Sequence, residues 1–225
     1  MGILSSLVSR MLKASPFSSV SLDSLAETMR VTDILKKNKL ERYYRVGRLQ
    51  ACCISYSAKV FFDRKFLEML SPIELRAVGA HEFTHIIKRH GVKRFWRIFV
   101  PSITIPAIVG FFIFVYYMSI SHLPSYIYSE AGLFSLFVAA SLFILAFIAS
   151  TYINAKWNRQ LETECDLSAV EFADGEAMIS ALNKASKLHP INEKSLKYRL
   201  QPKTYPTLEQ RINDIRTASK KLESE

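Results

Sequence analysis

Between residues 98 and 155 the chain has no lysine and no arginine, although it carries 30 of them elsewhere, and the one acid in this block is Glu130. That absence argues against a pair of buried core helices, because a soluble domain of this size rarely has so long an uncharged stretch. Cysteine is also scarce. Cys52, Cys53 and Cys165 are odd in number and two are adjacent, which excludes a disulfide framework and fits a reducing compartment. No CxxC spacing is present, so a cysteine zinc site is not indicated. The first residues lack a continuous apolar run, so a secretory signal peptide is not expected. No basic stripe interleaved with stacking aromatics occurs, and no nucleic-acid partner is expected despite a net charge of +10.

The uncharged block divides in two. Residues 98–120 and 131–153 are each long enough to span a bilayer, which takes about 20 apolar residues. Residues 121–130 form the turn between them and include His122. Pro101 and Pro106 fall in the first span, where neighbouring groups can satisfy the freed carbonyls. Trp96 and Trp157 flank the block at one end, as interface anchors do. Lys88, Arg89, Lys93, Arg94 and Arg97 precede it, and Lys156 and Arg159 follow it. By the positive-inside rule both termini are cytoplasmic and the turn is external. The lipid bilayer is thus an expected partner, and anionic headgroups account for the basic face. The expected domains are a discontinuous cytoplasmic one, 1–97 with 156–225, and a transmembrane hairpin, 98–155.

In the polar part, residues 21–44 read as helical. Residues 46–62 are rich in strand formers, with a turn at 55–57, and 66–70 read as a short helix. "SPIE" at 71–74 is a helix start: Ser71 as N-cap, Pro72 in the first turn, Glu74 closing a capping box. A later helix begins near Tyr152 and continues into the 170s. A polar loop spans 186–207, and a last helix covers 208–222.

The helix that opens at Ser71 contains "HEFTH". Residues four apart share a helical face, so His81 and His85 can point two imidazoles at one ion. Glu82 lies beside them and can reach water without ligating the metal, the role of a general base in an HExxH arrangement. A catalytic zinc needs a third protein ligand. Glu162 and Asp166, again four apart, offer it: Glu162 can ligate, and Asp166 can accept a hydrogen bond from the far nitrogen of a ligand histidine. Glu164 falls on the opposite face and is expected to be solvated. A two-span hairpin returns the chain to the same side, so both helices can meet over one metal.

HEFTH, two apolar spans and then R-x-x-E-x-x-x-D (Arg159, Glu162, Asp166) resemble the membrane metallopeptidases that include the heat-shock protease HtpX and the type I CAAX prenyl protease. Two further segments carry the likeness, "AKVFFDRKFLEMLSPIELRAVGAHEFTH" at 58–85 and "TYPTLEQRI" at 204–212. The resemblance implies a gluzincin site with one zinc per chain, held by His81, His85 and Glu162, with Glu82 as catalytic base. It also implies Asp166, Arg159 and Arg211 as outer partners of the ligands. Tyr205 stands where the family has a histidine near the substrate oxyanion, and is expected to supply that hydrogen bond. Cys165 stands where alanine is common and is expected to pack.

Of the other histidines, His90 is expected off the ligand face, solvated or at the headgroups, His122 in the external turn and His189 in a loop. Cys52 and Cys53 are expected to pack on opposite faces of a strand. The expected fold is α+β and mostly helical, a zincin-like domain with an inserted transmembrane hairpin. The expected function is zinc-dependent endopeptidase action on membrane or membrane-associated proteins at the cytoplasmic face, in membrane protein quality control. With continuous helices the metal would sit about 9–18 Å above the bilayer. Three alternatives stand beside it: a zinc-binding scaffold without catalysis, a CAAX-type processing protease, and a non-heme iron enzyme, since two histidines and a carboxylate also suit Fe(II).

Overall fold

The computed structural model of the chain describes residues 15–31, 44–47, 53–56, 59–120, 125–188, 190 and 205–224. Cys52, Ser57, His122 and His189 lie outside them. The described residues are mostly helical, with one four-stranded sheet. In chain order they form β1 (Ser15–Pro16), α1 (Val20–Thr28), β2 (Tyr44–Gly47), β3 (Cys53–Tyr56), β4 (Lys59–Asp63), α2 (Arg64–Met69), α3 (Pro72–Ile87), α4 (His90–Ile120), α5 (Ser125–Phe172), α6 (Gly175–Leu188) and α7 (Leu208–Ser224). The chain divides into two compact units, residues 1–92 with 158–225, and residues 93–157.

In the first unit the sheet order is β1-β2-β4-β3. β2 and β4 run parallel, with Tyr44 opposite Val60, while β3 returns antiparallel to β4 with Cys53 opposite Phe62. Val60 and Phe62 of β4, Leu22 and Leu25 of α1, Val78 and Phe83 of α3, Met178 of α6 and Ile215 of α7 are buried together. Each such side chain contributes about 1.5–3 kcal/mol by leaving water. Gly79 lets α1 and α3 approach closely, since a Cβ there would run into the Leu22 side chain.

Local chemistry sets the helix ends. Asp63 caps α2 by accepting from the Phe66 amide at 3.0 Å. Ser71 and Glu74 form the full capping box at the start of α3, and Pro72 takes the first turn. The expected helix over 21–44 does not hold as one element. It stops at Thr28, Arg30 adopts a left-handed backbone with φ 53°, and Tyr44 is in a strand. Ser55 belongs to β3 rather than to a turn. The helix carrying Glu162 ends at Phe172, and a separate helix, α6, follows; Asp174 caps it through bonds from the Glu176 and Ala177 amides.

The second unit holds most of α4 and the first part of α5. Arg97 of α4 lies 4.0 Å over the Trp157 ring of α5, a cation–π contact. Among the described residues one helical stretch, Ala140–Phe172, is long and apolar enough to cross a membrane by length and composition, where two were expected. Its apolar part ends near Ile153. Lys156, Arg159, Glu162, Glu164 and Asp166 then follow.

Glu74 does more than cap α3. Its carboxylate accepts from Ser180 and from Lys184, each at 2.6 Å, and so ties α3 to α6. Burial alone would raise its pKa, but the bonds from Lys184, Ser180 and Ser71 hold it at about 2. A depressed carboxylate stabilises the fold fully above its unfolded pKa, near 4.5, and loses that contribution as the pH falls toward about 2. Glu74→Gln is therefore expected to lose about 1–2 kcal/mol at pH 7, allowing for the partial exposure of Lys184. The gap between variant and wild type should close between pH 4.5 and 2, read by thermal melts of the purified protein.

Candidate metal centre

α3 and α5 bring the expected residues together. His81 and Glu82 are buried, as are Glu162 and Asp166 of α5. His81 Nδ1 lies 2.8 Å from Asp166 Oδ1. Its Nε2 therefore faces the other way, 3.4 Å from Glu162 Oε2. His85 Nε2 lies 3.7 Å from the second oxygen, Oε1, of the same carboxylate. The two imidazole rings are 5.1 Å apart at 70° to one another. Glu82 stands beside them, its Oε1 3.9 Å from His81 Nε2.

This arrangement can hold a divalent metal. Two ligands of one tetrahedral zinc, each bonded at about 2.0–2.1 Å, are separated by about 3.3 Å. The imidazole-to-carboxylate distances are close to that value. Two imidazoles, neutral once a metal is bound, and one carboxylate would make the donor set of a catalytic zinc with a position left for substrate or water. Asp166 accepts a hydrogen bond from the Nδ1–H of His81, which leaves Nε2 as the atom that can meet a metal.

Arg211 reaches the site from α7. Thr207 and Gln210 cap that helix reciprocally, at 3.2 and 3.1 Å. Arg211 then binds Asp166 with both arms of its guanidinium, Nε to Oδ2 at 2.7 Å and Nη2 to Oδ1 at 2.6 Å. Burial works against ionising Asp166, but Arg211 and His81 hold its carboxyl down to about 2. For His81 burial would lower the pKa. Asp166 and Glu162 outweigh it and raise the imidazole to about 10. Without a cation between them the carboxylates thus draw a proton onto His81, and metal binding has to displace it.

Other expected residues sit differently. Arg159 is partly exposed on α5, and Tyr205 is 55% exposed ahead of α7. His90 is a correction. It is neither solvated nor at a headgroup: it is 2% exposed, and its Nδ1 lies 3.0 Å from His85 Nδ1. The cause is a break after α3, where Arg89 takes a left-handed backbone with φ 52° and α4 opens at His90. Glu164 is a second correction. It pairs with Lys88 and comes within 3.4 Å of His90 Nε2 instead of facing solvent alone.

Cys165 is fully buried, as packing requires, yet it is also part of the site. Its sulfur and one nitrogen of each of His81 and His85 lie within 4.8 Å of one another, a group that can hold a metal ion. Burial and the surrounding carboxylates push the thiol up, which keeps it protonated in the absence of a cation. Sequence reasoning gave it to the core on residue size. The signal that placed it here is its spacing of three from Glu162, one turn along the same face.

No curated protein matches the chain. The sequence model of peptidase family M48 matches residues 25–219, from the last turn of α1 to most of α7. That family comprises zinc metallopeptidases, hydrolases of peptide bonds, with HtpX and the CAAX prenyl protease among them. With its HExxH histidines facing a glutamate two helices later, and the match running over most of its length, the chain belongs to peptidase family M48.

Proposed function

We propose that the chain is an integral-membrane zinc endopeptidase in which His81, His85 and Glu162 hold the zinc and Glu82 is the general base. The observation that carries this is that both Nε2 atoms turn to one carboxylate while Asp166 holds the opposite nitrogen of His81. Zinc in such a site supplies Lewis acidity toward water and a peptide carbonyl. Glu82 accepts a proton from the attacking water as its oxygen bonds to the carbonyl carbon. It then delivers that proton to the amine nitrogen as the C–N bond breaks. Asp166, locked by Arg211, keeps the His81 ring from turning. Glu82 favours this reading over a non-heme iron oxygenase, which has no use for a base in that place.

β3 is the outer strand of its sheet among the described residues, and it packs against α3. A substrate laid along it in extended form would gain main-chain hydrogen bonds close to the catalytic helix.

A bilayer location is supported by the second unit's side chains. Phe111, Phe112, Phe137 and Ile153 are each more than 60% exposed, a surface that water tolerates poorly and lipid accepts. In this reading residues 98–120 and 131–153 span the membrane as a hairpin, and 1–97 with 156–225 form a cytoplasmic domain around the metal. The basic residues on the side of the termini and their absence from the turn support that orientation. Substrates are then membrane or membrane-associated proteins that reach the site from the cytoplasmic face, which fits a part in membrane protein quality control.

Glu82→Gln is expected to keep zinc at one per chain while proteolysis of casein or a membrane substrate nearly vanishes. His81→Ala and Glu162→Ala are expected to lose zinc too. Wild-type turnover by Glu82→Gln sinks the mechanism.

For the topology, Ser125→Cys should react with an impermeant thiol reagent from outside the cell, and Ser219→Cys should not. Labelling of both from outside rules out the shared side.

Tyr205 is the proposed donor to the carbonyl oxygen as it gains negative charge. Removing one such donor costs about 10²–10³ in kcat. Tyr205→Phe should show that loss with zinc content unchanged, and a variant within twofold of wild type assigns the residue to packing ahead of Pro206.

A further inference from the structure

The two imidazoles of the metal centre are anchored differently. His81 is held directly by Asp166, with Arg211 behind it. Behind His85 there is a second histidine. His90 is 2% exposed, its ring stands 5.0 Å from that of His85 at 80°, and the two Nδ1 atoms are 3.0 Å apart. Only one of two nitrogens at that distance can carry the proton. If His85 meets a metal through Nε2, its Nδ1 is the N–H, and His90 Nδ1 is the acceptor. His90 then carries its own proton on Nε2. That nitrogen faces Glu164 Oε2 at 3.4 Å, and Glu164 is paired with Lys88. A carboxylate on that side favours a proton on Nε2 and so leaves Nδ1 open to accept. The protonation pattern required by ligation at His85 and the one favoured by Glu164 are the same.

We propose that His90 is a positioning residue for His85, and that Glu164 and Lys88 set its tautomer. His85 thereby receives through a relay what His81 receives from Asp166 directly: a fixed ring plane and a stronger donor nitrogen. The proposal rests on His85 being a zinc ligand. Lys88 and His90 flank the left-handed residue Arg89, and both reach back to α5. Cys165 Sγ, 3.7 Å from His90 Nδ1, packs against the same nitrogen, where a thiol is a weak donor beside an imidazole N–H.

The test measures zinc affinity of the full-length, detergent-solubilised protein by competition with a chromophoric chelator. Loss of an outer partner of a metal-bound histidine typically weakens metal binding about 10–100-fold. His90→Ala should fall in that range. His90→Gln, whose side-chain oxygen can accept from His85, should recover part of it. Glu164→Ala, on a half-exposed side chain, should weaken zinc in the same direction. The cobalt-substituted protein should show shifted visible bands in both His90 variants, a change that mere loss of packing would not give.

Zinc affinity within twofold of wild type for both His90→Ala and Glu164→Ala overturns the proposal. His85→Ala separates the two levels: unchanged zinc binding in that variant removes the metal-centre reading itself, whatever His90 does.

Discussion

Asp166 is the group on which the centre depends. It is fully buried, and a carboxylate alone in that position would cost several kcal/mol or take up a proton. It stays ionised because His81 meets it on one side and the Arg211 guanidinium on the other. These three residues come from α3, α5 and α7, far apart in the chain. One buried charge thus makes the position of the last helix a condition for the orientation of the first histidine. The pair is stable as a unit and not as halves: removing either partner leaves a charge in the interior.

α3 is secured at both ends by the same kind of interaction. Glu74, in its first turn, is tied to Ser180 and Lys184 of α6, and Lys88, at its C-cap, to Glu164 of α5. His81 and His85 lie between these two clamps. A helix held only by its apolar face can roll by small amounts. Rolling α3 would stretch both ion pairs, so the direction of the imidazoles is set by contacts remote from the metal.

Much of this was legible in the sequence because it is local. The capping box at Ser71, the i, i+4 pairs His81–His85 and Glu162–Asp166, and the start of the last helix near Leu208 follow from spacing alone. What sequence reasoning missed needed partners distant in the chain or unmarked backbone turns. The parallel pairing of β2 with β4 depends on a contact that neither strand announces. The end of the first helix at Thr28 rests on Arg30, where no glycine or proline marks the turn. The break before α6 did carry a signal, Asp174 followed by Gly175, which an apolar periodicity running into the 170s obscured. Glu164 was assigned to solvent from its helical face, and it is 43% exposed; the face was right, but Lys88 and His90 come round to meet it.

The left-handed turn at Arg89 has a consequence for how such sequences are read. On an unbroken helix residues five apart point about 140° away from each other, so a histidine five places after HExxH should face elsewhere. Here the fifth position is the one that touches. The interval between His85 and His90 is therefore a measure of where the helix ends: three or four residues report a shared face, and five in contact report a corner. In this chain the corner lies one residue before the ring it redirects, and the angular mismatch of the helix is what brings that ring beneath its neighbour.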